Sequence, residues 1–422
     1  MKTAISWIDV RLGVRMLWKN PALTIVGGLA MALAIAIGAG VFGFSWSLLY
    51  PRLPLDEGDR IVALENWNIR GEDPLRRSLH DFVEWRQELR MVREVSAFRT
   101  VSRNLIAPDG TAEPVRVAEM SASGFRVARV APALGRPLVE EDERPGAPPV
   151  VVIGHDVWRT RFGGDPRVVG RTVRLGNTVH TVAGVMPRGF AFPVNHAYWI
   201  PLRHSPTDHP RGEGPELFIF GRLAPGASGE QAQAELDAVG RRTAAAHPQT
   251  HADARPQVLN YTYPVTGIQD LPLWEATLMQ ALVSLLLVVV AVNVAVLIYA
   301  RTATRRGEIA IRTALGASRR RIVAQLFAEA LVLSAAAAAV GLLLAGAGLR
   351  MVHGIMKLED PNASAFWMDF GLRPATVLYV VGLTVLATVI AGVLPALGAT
   401  GRRVQDSLRQ LGGGTGLRLG RT

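Results

Sequence analysis

The sequence predicts an α-helical membrane protein with four transmembrane helices and one large extracytoplasmic domain of mixed α/β structure. Three observations predict it. Four charge-free apolar runs each reach the roughly 20 residues a helix needs to cross the hydrocarbon core. The surplus of basic residues is concentrated in three short segments beside those runs. Between the first and second run lies a long stretch of balanced charge and alternating hydropathy, the mark of a folded soluble domain. Composition agrees: 49% of the 422 residues are hydrophobic and only 19% charged, against about a quarter charged in soluble domains. The chain has no cysteine, so disulfides, thiolate metal sites and a cysteine nucleophile are excluded.

Residues 1–20 read as an interfacial helix on the cytoplasmic face. Ile5, Ile8, Leu12 and Met16 share one side, while Arg11, Arg15 and Lys19 remain polar. The first span is 21–50, too long for the apolar core of a cleaved signal peptide. The others are 276–300, 330–349 and 374–401. A span must be helical because the bilayer interior offers unpaired backbone groups no water. Short arginine-rich connectors stay cytoplasmic. The basic segments 1–20, 301–329 and 402–422 therefore share the inside, and both termini lie there. The short 350–373 connector balances Arg350, Lys357 and Arg373 with Glu359, Asp360 and Asp369, as an outside loop does. Residues 51–275 lie outside, with 27 basic residues against 28 acidic ones. The net charge of +11 thus reports membrane topology and excludes a nucleic-acid-binding stripe.

Small residues mark where spans can approach closely: Gly28, Ala32, Ala36 and Gly40 on the first, and Ala337, Gly341 and Ala345 on the third. No span carries an ionisable side chain, which disfavours an ion-coupled secondary transporter. Asn293, deep in the second span, is expected to hydrogen-bond between helices.

In the outside domain, strands are expected at 60–65, 113–120, 150–153, 172–175, 178–185 and 217–223, with Gly176-Asn177 as a hairpin turn. Helices are expected at 79–90 and 229–246. His155, His180, His196, His204 and His209 are scattered, without the i,i+4 pairing of a zinc helix, so no metal site is expected. The run Glu140 to Glu143 reads as a solvated loop, and Asp81 and Glu84 as an exposed helix face. No catalytic residue and no cofactor are expected.

The cytoplasmic connector carries the most specific signal. In Arg305 to Ser318, Ala310, Ile311, Ala314 and Leu315 form one helical stripe, and Glu308 precedes Arg312 by four residues, the favourable ion-pair order. Gly316 ends that helix, Ser318 caps the next, and a second helix from Arg319 through Gln325 and Glu329 continues into the third span. The stretch Glu308-Ile309-Ala310-Ile311-Arg312-Thr313-Ala314-Leu315-Gly316-Ala317-Ser318 resembles the loop of FtsX-like ABC permeases.

Leu17-Trp18-Lys19-Asn20-Pro21 resembles the start of MacB-type permeases. Trp158, Phe162-Gly163-Gly164-Asp165-Pro166, Gly170, Gly184-Val185-Met186-Pro187, Gly221-Arg222-Leu223 and Gln231-Ala232 resemble their periplasmic core domain. The pattern is most similar to a single half of the duplicated-permease branch, whose members usually carry a second four-span-like half.

The resemblance implies a MacB-like periplasmic core of porter and Sabre lobes at 51–275. It also implies a loop helix (Glu308, Ile309, Ala310, Ile311, Arg312, Ala314, Leu315 and Gly316) that docks on an ABC ATPase, and pairing as a homodimer or with a second permease half. MacB itself fuses its ATPase to the permease. Here the only lysines are Lys2, Lys19 and Lys357, none after a glycine, so a P-loop is absent from this sequence and the ATPase is expected on a separate chain. The expected function is that of a plasma-membrane permease subunit in an ABC mechanotransmission or efflux system. The alternative is a signalling or scaffolding protein of FtsX type, acting on an envelope partner without transport.

Overall fold

The computed structural model describes residues 21–107, 109–266, 273–304, 319–359, 364–368 and 371–390. The chain forms two compact units, one of Met1–Leu48, Pro272–Ile355 and Phe370–Thr422, the other of Leu49–Leu271 and Met356–Asp369.

The outside unit is built on one eleven-stranded sheet. Its strands are β1 (Ile61–Asn68), β2 (Asp73–Leu75), β3 (Val92–Ile106), β4 (Ala112–Met120), β5 (Leu134–Gly135), β6 (Val150–Ile153), β7 (Thr172–Leu175), β8 (Thr178–Val185), β9 (Tyr198–Pro201), β10 (Phe218–Leu223) and β11 (Ala254–Asn260). The order is β11-β1-β10-β3-β4-β9-β6-β8-β5, with β2 and β7 off that path. Within it, β11-β1-β10-β3 is antiparallel throughout. Helix α1 (Leu79–Glu88) leads into β3, and a long helix (Gly229–Ala246) leads from β10 to β11. This is a split βαβ, ferredoxin-like arrangement, with residues 107–217 inserted between its second and third strands. The long β3 joins the two parts, pairing with β10 through Phe98 and with β4 from Phe98 onward.

Strand alternation sorts side chains to two cores. Val62, Leu64, Ala97 and Ile219 face α1 and the 229–246 helix, packing on Phe82, Trp85, Leu236 and Val239. Their neighbours Ile61, Phe98 and Phe220 point to the opposite face, into an aromatic core with Phe125, Phe192, Trp199 and Tyr261. The inserted part has its own core of Val151, Ile153, Val173, Leu175, Val182 and Val185. The β7–β8 hairpin turns on Gly176, whose φ of +59° suits a residue without a Cβ.

In the other unit, among the described residues, three helices are long and apolar enough to cross a membrane: Ile25–Ser47, Thr277–Val296 and Phe327–Met356. Pro374–Thr388 is a shorter apolar helix at the start of the fourth span, and residues 391–401 lie outside the described residues. This accords with the expected four spans. The third is part of one uninterrupted 41-residue helix, Arg319–Glu359.

Candidate functional site

Glu308, Ile309, Ala310, Ile311, Arg312, Ala314, Leu315 and Gly316 all lie outside the described residues. What is described around them is the end of the second-span helix at Thr304 and the start of the next helix at Arg319. In that helix Gln325 donates to Glu329 one turn on, at 3.3 Å.

The small-residue stripes of the first and third spans meet. A Cβ on Gly341 would lie 2.8 Å from the Ala32 carbonyl oxygen and 2.9 Å from Ile35 Cγ2. Ala32, Ala36, Ala337 and Ala345 are all buried. Gly28 has ordinary room, its Cβ position 3.5 Å from Leu333, and Gly40 has nothing within 4 Å. The close approach is therefore local to Gly341. Polar bonding between spans runs through a residue the sequence reading passed over. Gln280 donates to the Tyr379 hydroxyl at 2.5 Å, Ser284 shares a 2.9 Å bond with it, and the Tyr379 ring stacks on Phe42 at 4.4 Å. Asn293, expected in that role, is exposed on the second-span helix and bonds to nothing among the described residues.

Outside the membrane, two polar clusters are buried. Asp81 accepts from Asn66 Nδ2 at 3.0 Å, Arg211 at 2.9 Å and His251 Nε2 at 3.0 Å, while Arg211 also pairs with Glu84. Because the carboxylate only accepts, His251 presents its Nε2–H to it, and Nδ1 shares a 2.8 Å bond with the Thr250 hydroxyl. The expected exposed face of α1 is thus wrong at Asp81, which is 4% exposed because the 206–216 loop and residues 248–251 cover it.

The second cluster centres on Glu119 of β4, which pairs with its cross-strand partner Arg99, with Arg103 at 3.1 Å and with His204 at 3.6 Å. Burial alone would raise the Glu119 pKa, but His204 and Arg99 outweigh it and hold the carboxyl at about 2. Burial, with Arg116 nearby, holds His196 down at about 3, so the ring is neutral and shares a 3.0 Å bond with Thr100.

The run Glu140 to Glu143 is a short helix tied into the fold and not a solvated loop. Arg136 grips Asp142 with two bonds of 2.6 and 2.9 Å, Arg86 of α1 reaches Glu140 at 3.1 Å, and Glu143 accepts the Ala122 N–H at 2.5 Å. These acids do structural work through arginines both near in sequence, as Arg136 is, and distant, as Arg86 is. Among the described residues, no group of three or more histidines and carboxylates could hold a metal ion.

The aromatic core also holds residues 364–368, from the connector after the third span. Phe366 N–H donates to the Val194 carbonyl at 2.8 Å, and Asn195 Nδ2 to the Ser364 carbonyl at 3.0 Å. Trp367 is buried with its ring 5.8 Å from that of Tyr261, and Phe366 meets Phe192 edge-on at 6.3 Å. Nothing in the connector's balanced charge marks it for burial, and only Ala365-Phe366-Trp367-Met368 hints at it.

Residues 281–403 match the family described as FtsX-like permease C-terminal. Residues 23–239, more than half of the chain, match the family described as MacB-like periplasmic core domain. The chain belongs to the MacB/FtsX-like ABC permeases.

Among solved structures, the permease is similar to the periplasmic region of MacB from Actinobacillus actinomycetemcomitans, at 14% identity over 51% of this chain and 95% of that one, with a TM-score of 0.38. It is similar also to the extracellular domain of the noncanonic ABC-type transporter YknZ from Gram-positive bacteria, at 15% identity over 47% and 99%, with a TM-score of 0.36. No curated protein matches the chain. The permease is accordingly a multi-pass inner-membrane protein with its MacB-like domain on the extracytoplasmic side.

Proposed function

We propose that this permease is the membrane subunit of an ABC-type mechanotransmission or efflux system, in which a separate ATPase drives movement of the outside domain. The loop helix Glu308–Gly316 takes the push of the ATPase, and the helices that flank it carry the displacement outward. The observation that carries this reading is the Glu308-Ile309-Ala310-Ile311-Arg312 to Leu315-Gly316 run, which falls inside the FtsX-like match and directly before an unbroken helix of 41 residues. A rigid helix transmits displacement without loss to a hinge. No lysine of this chain follows a glycine, which supports a nucleotide site on a partner. The permease works in a pair, as a homodimer or with a second permease half.

The test is co-purification from membranes with an ABC ATPase, followed by the same assay with an ATPase whose catalytic carboxylate is removed. The mechanical reading expects the complex to form and the outside activity to stop. An outside activity that persists with the dead ATPase contradicts it and identifies a scaffold.

A further inference from the structure

We infer that residues 364–368, in the connector between the third and fourth spans, are a strap through which those spans pull on the joint between the two parts of the outside domain; this rests on the ATP-driven permease proposed above and names where the pull is applied.

The strap is built into the domain. Ser364, Ala365 and Trp367 are buried, and Phe366 and Met368 pack on the same aromatic core. Its partners come from both parts of the domain. Val194 accepts the Phe366 N–H at 2.8 Å and Asn195 donates to the Ser364 carbonyl at 3.0 Å, both from the inserted residues 107–217. Tyr261, whose ring lies 5.8 Å from that of Trp367, directly follows β11 of the split βαβ part. Its hydroxyl donates to the Pro193 carbonyl at 2.8 Å, so insert, sheet and strap meet at one place. A connector that only reversed the chain would need no buried rings and no bond to a residue 169 positions away.

The chain on either side is short and, on one side, stiff. The helix before the strap, Arg319–Glu359, has 41 residues, which at 1.5 Å per residue is about 60 Å, roughly twice the hydrocarbon thickness. It begins in the unit of spans, and its last residues, Met356–Glu359, belong to the outside unit. Four residues, Asp360 to Ala363, separate it from Ser364, and five, Asp369 to Arg373, separate Met368 from the fourth-span helix at Pro374. Fully extended, these links reach at most roughly 18 and 22 Å. Once a link is taut, any further displacement of the spans loads the strap, and the burial of Trp367 holds it in place.

The chain contains no cysteine, so two introduced ones carry spin labels cleanly. Ala245→Cys, exposed on the Gly229–Ala246 helix, and Leu378→Cys, exposed on the fourth-span helix, label the full chain in lipid nanodiscs, diluted with unlabelled chain. In a slack variant, about twelve Gly-Ser residues are inserted after Asn362 and again after Phe370, each insert adding roughly 20 Å of root-mean-square reach. Residues 364–368 and the aromatic core stay complete, so this variant loosens the strap without unfolding the domain. Without the ATPase, the label-to-label distance distribution is expected to be at least twofold wider in the slack variant and in Trp367→Ala, and unchanged in Trp367→Phe. A slack variant as narrow as the unaltered chain overturns the strap.

With an ABC ATPase and ATP added, the mean distance is expected to shift in the unaltered chain. In the slack variant it shifts less than about a third as far at the same rate of ATP hydrolysis, because the links take up the displacement. An equal shift in both overturns the strap as the route. No shift in the unaltered chain counts against the ATP-driven permease, while the widths measured without the ATPase still decide the strap, so the two fail separately.

Discussion

Gly341 and the carbonyl of Ala32 are so close that a Cβ on the glycine would sit 2.8 Å from the oxygen. Real Cβ atoms essentially never come within 3.0 Å, so the first and third spans meet backbone to backbone at this level. Gly341→Val forces the helices apart and destabilises the unit by about 1–3 kcal/mol, the usual cost of overpacking. Gly40 belongs to the same sequence stripe but has open space around it. Gly40→Ala is neutral, or stabilising by up to about 1 kcal/mol through helix propensity. Thermal unfolding in detergent separates the two variants.

Glu119 and His196, whose pKa values lie furthest below their ordinary values, make acid weaken the outside domain. Glu119 sits at about 2 against its ordinary 4.5, so its contribution is complete above about 4.5 and is lost as pH falls toward 2. His196, at about 3 against 6.5, is buried neutral while the unfolded chain takes up a proton below 6.5, so its loss begins earlier. Stability of the full chain therefore declines from about pH 6.5 downward. His196→Gln makes the decline between about 6.5 and 4.5 shallower, with His180, whose pKa burial also lowers, still contributing there; tryptophan fluorescence during pH titration reports the change.

Trp367 tests the burial of the connector. Trp367→Ala removes a large side chain from the aromatic core and costs about 3–5 kcal/mol, and residues 364–368 become cleavable by protease. Its Nε1 has no partner among the described residues. Trp367→Phe deletes that buried donor but keeps an aromatic ring in the core, so it retains protection far better than Trp367→Ala.

Asp81→Ala leaves Arg211 paired with Glu84 alone and breaks the bonds of Asn66 and His251. A loss of about 1–3 kcal/mol is expected from the donors left unpaired, visible as a lower midpoint in urea. Asp56→Ala, whose contact with Arg129 is exposed, leaves the midpoint nearly unchanged.

Much of the fold is legible because the bilayer and the strand pleat impose simple periods. Charge-free runs and arginine placement mark the spans, and Val150–Ile153, Thr172–Leu175, Thr178–Val185 and Gly229–Ala246 form the elements their alternation announces. What is not legible is non-local. Strand β1 pairs with β10 and β11, so Ile61 lies opposite Arg222 and Val62 opposite Asn260, and no local pattern encodes partners so distant. The acids at 140–143 look solvated until Arg86, Arg126 and Arg136 arrive from elsewhere in the chain. Residues 364–368 look like a turn because their partners, Val194 and Tyr261, belong to another stretch of sequence. Gln280 and Asn293 are both amides in the second span, and only the packing of the fourth span decides that Gln280 is the one bonded.

The most direct test of the account is the ATPase rate of the purified permease–ATPase complex with Leu315→Arg against the unaltered chain. Leu315 belongs to the apolar stripe that the sequence places on the expected loop helix, so the account predicts loss of complex and of stimulated ATP hydrolysis, with the outside domain still folded. A Leu315→Arg complex that forms and hydrolyses ATP at the original rate would contradict it.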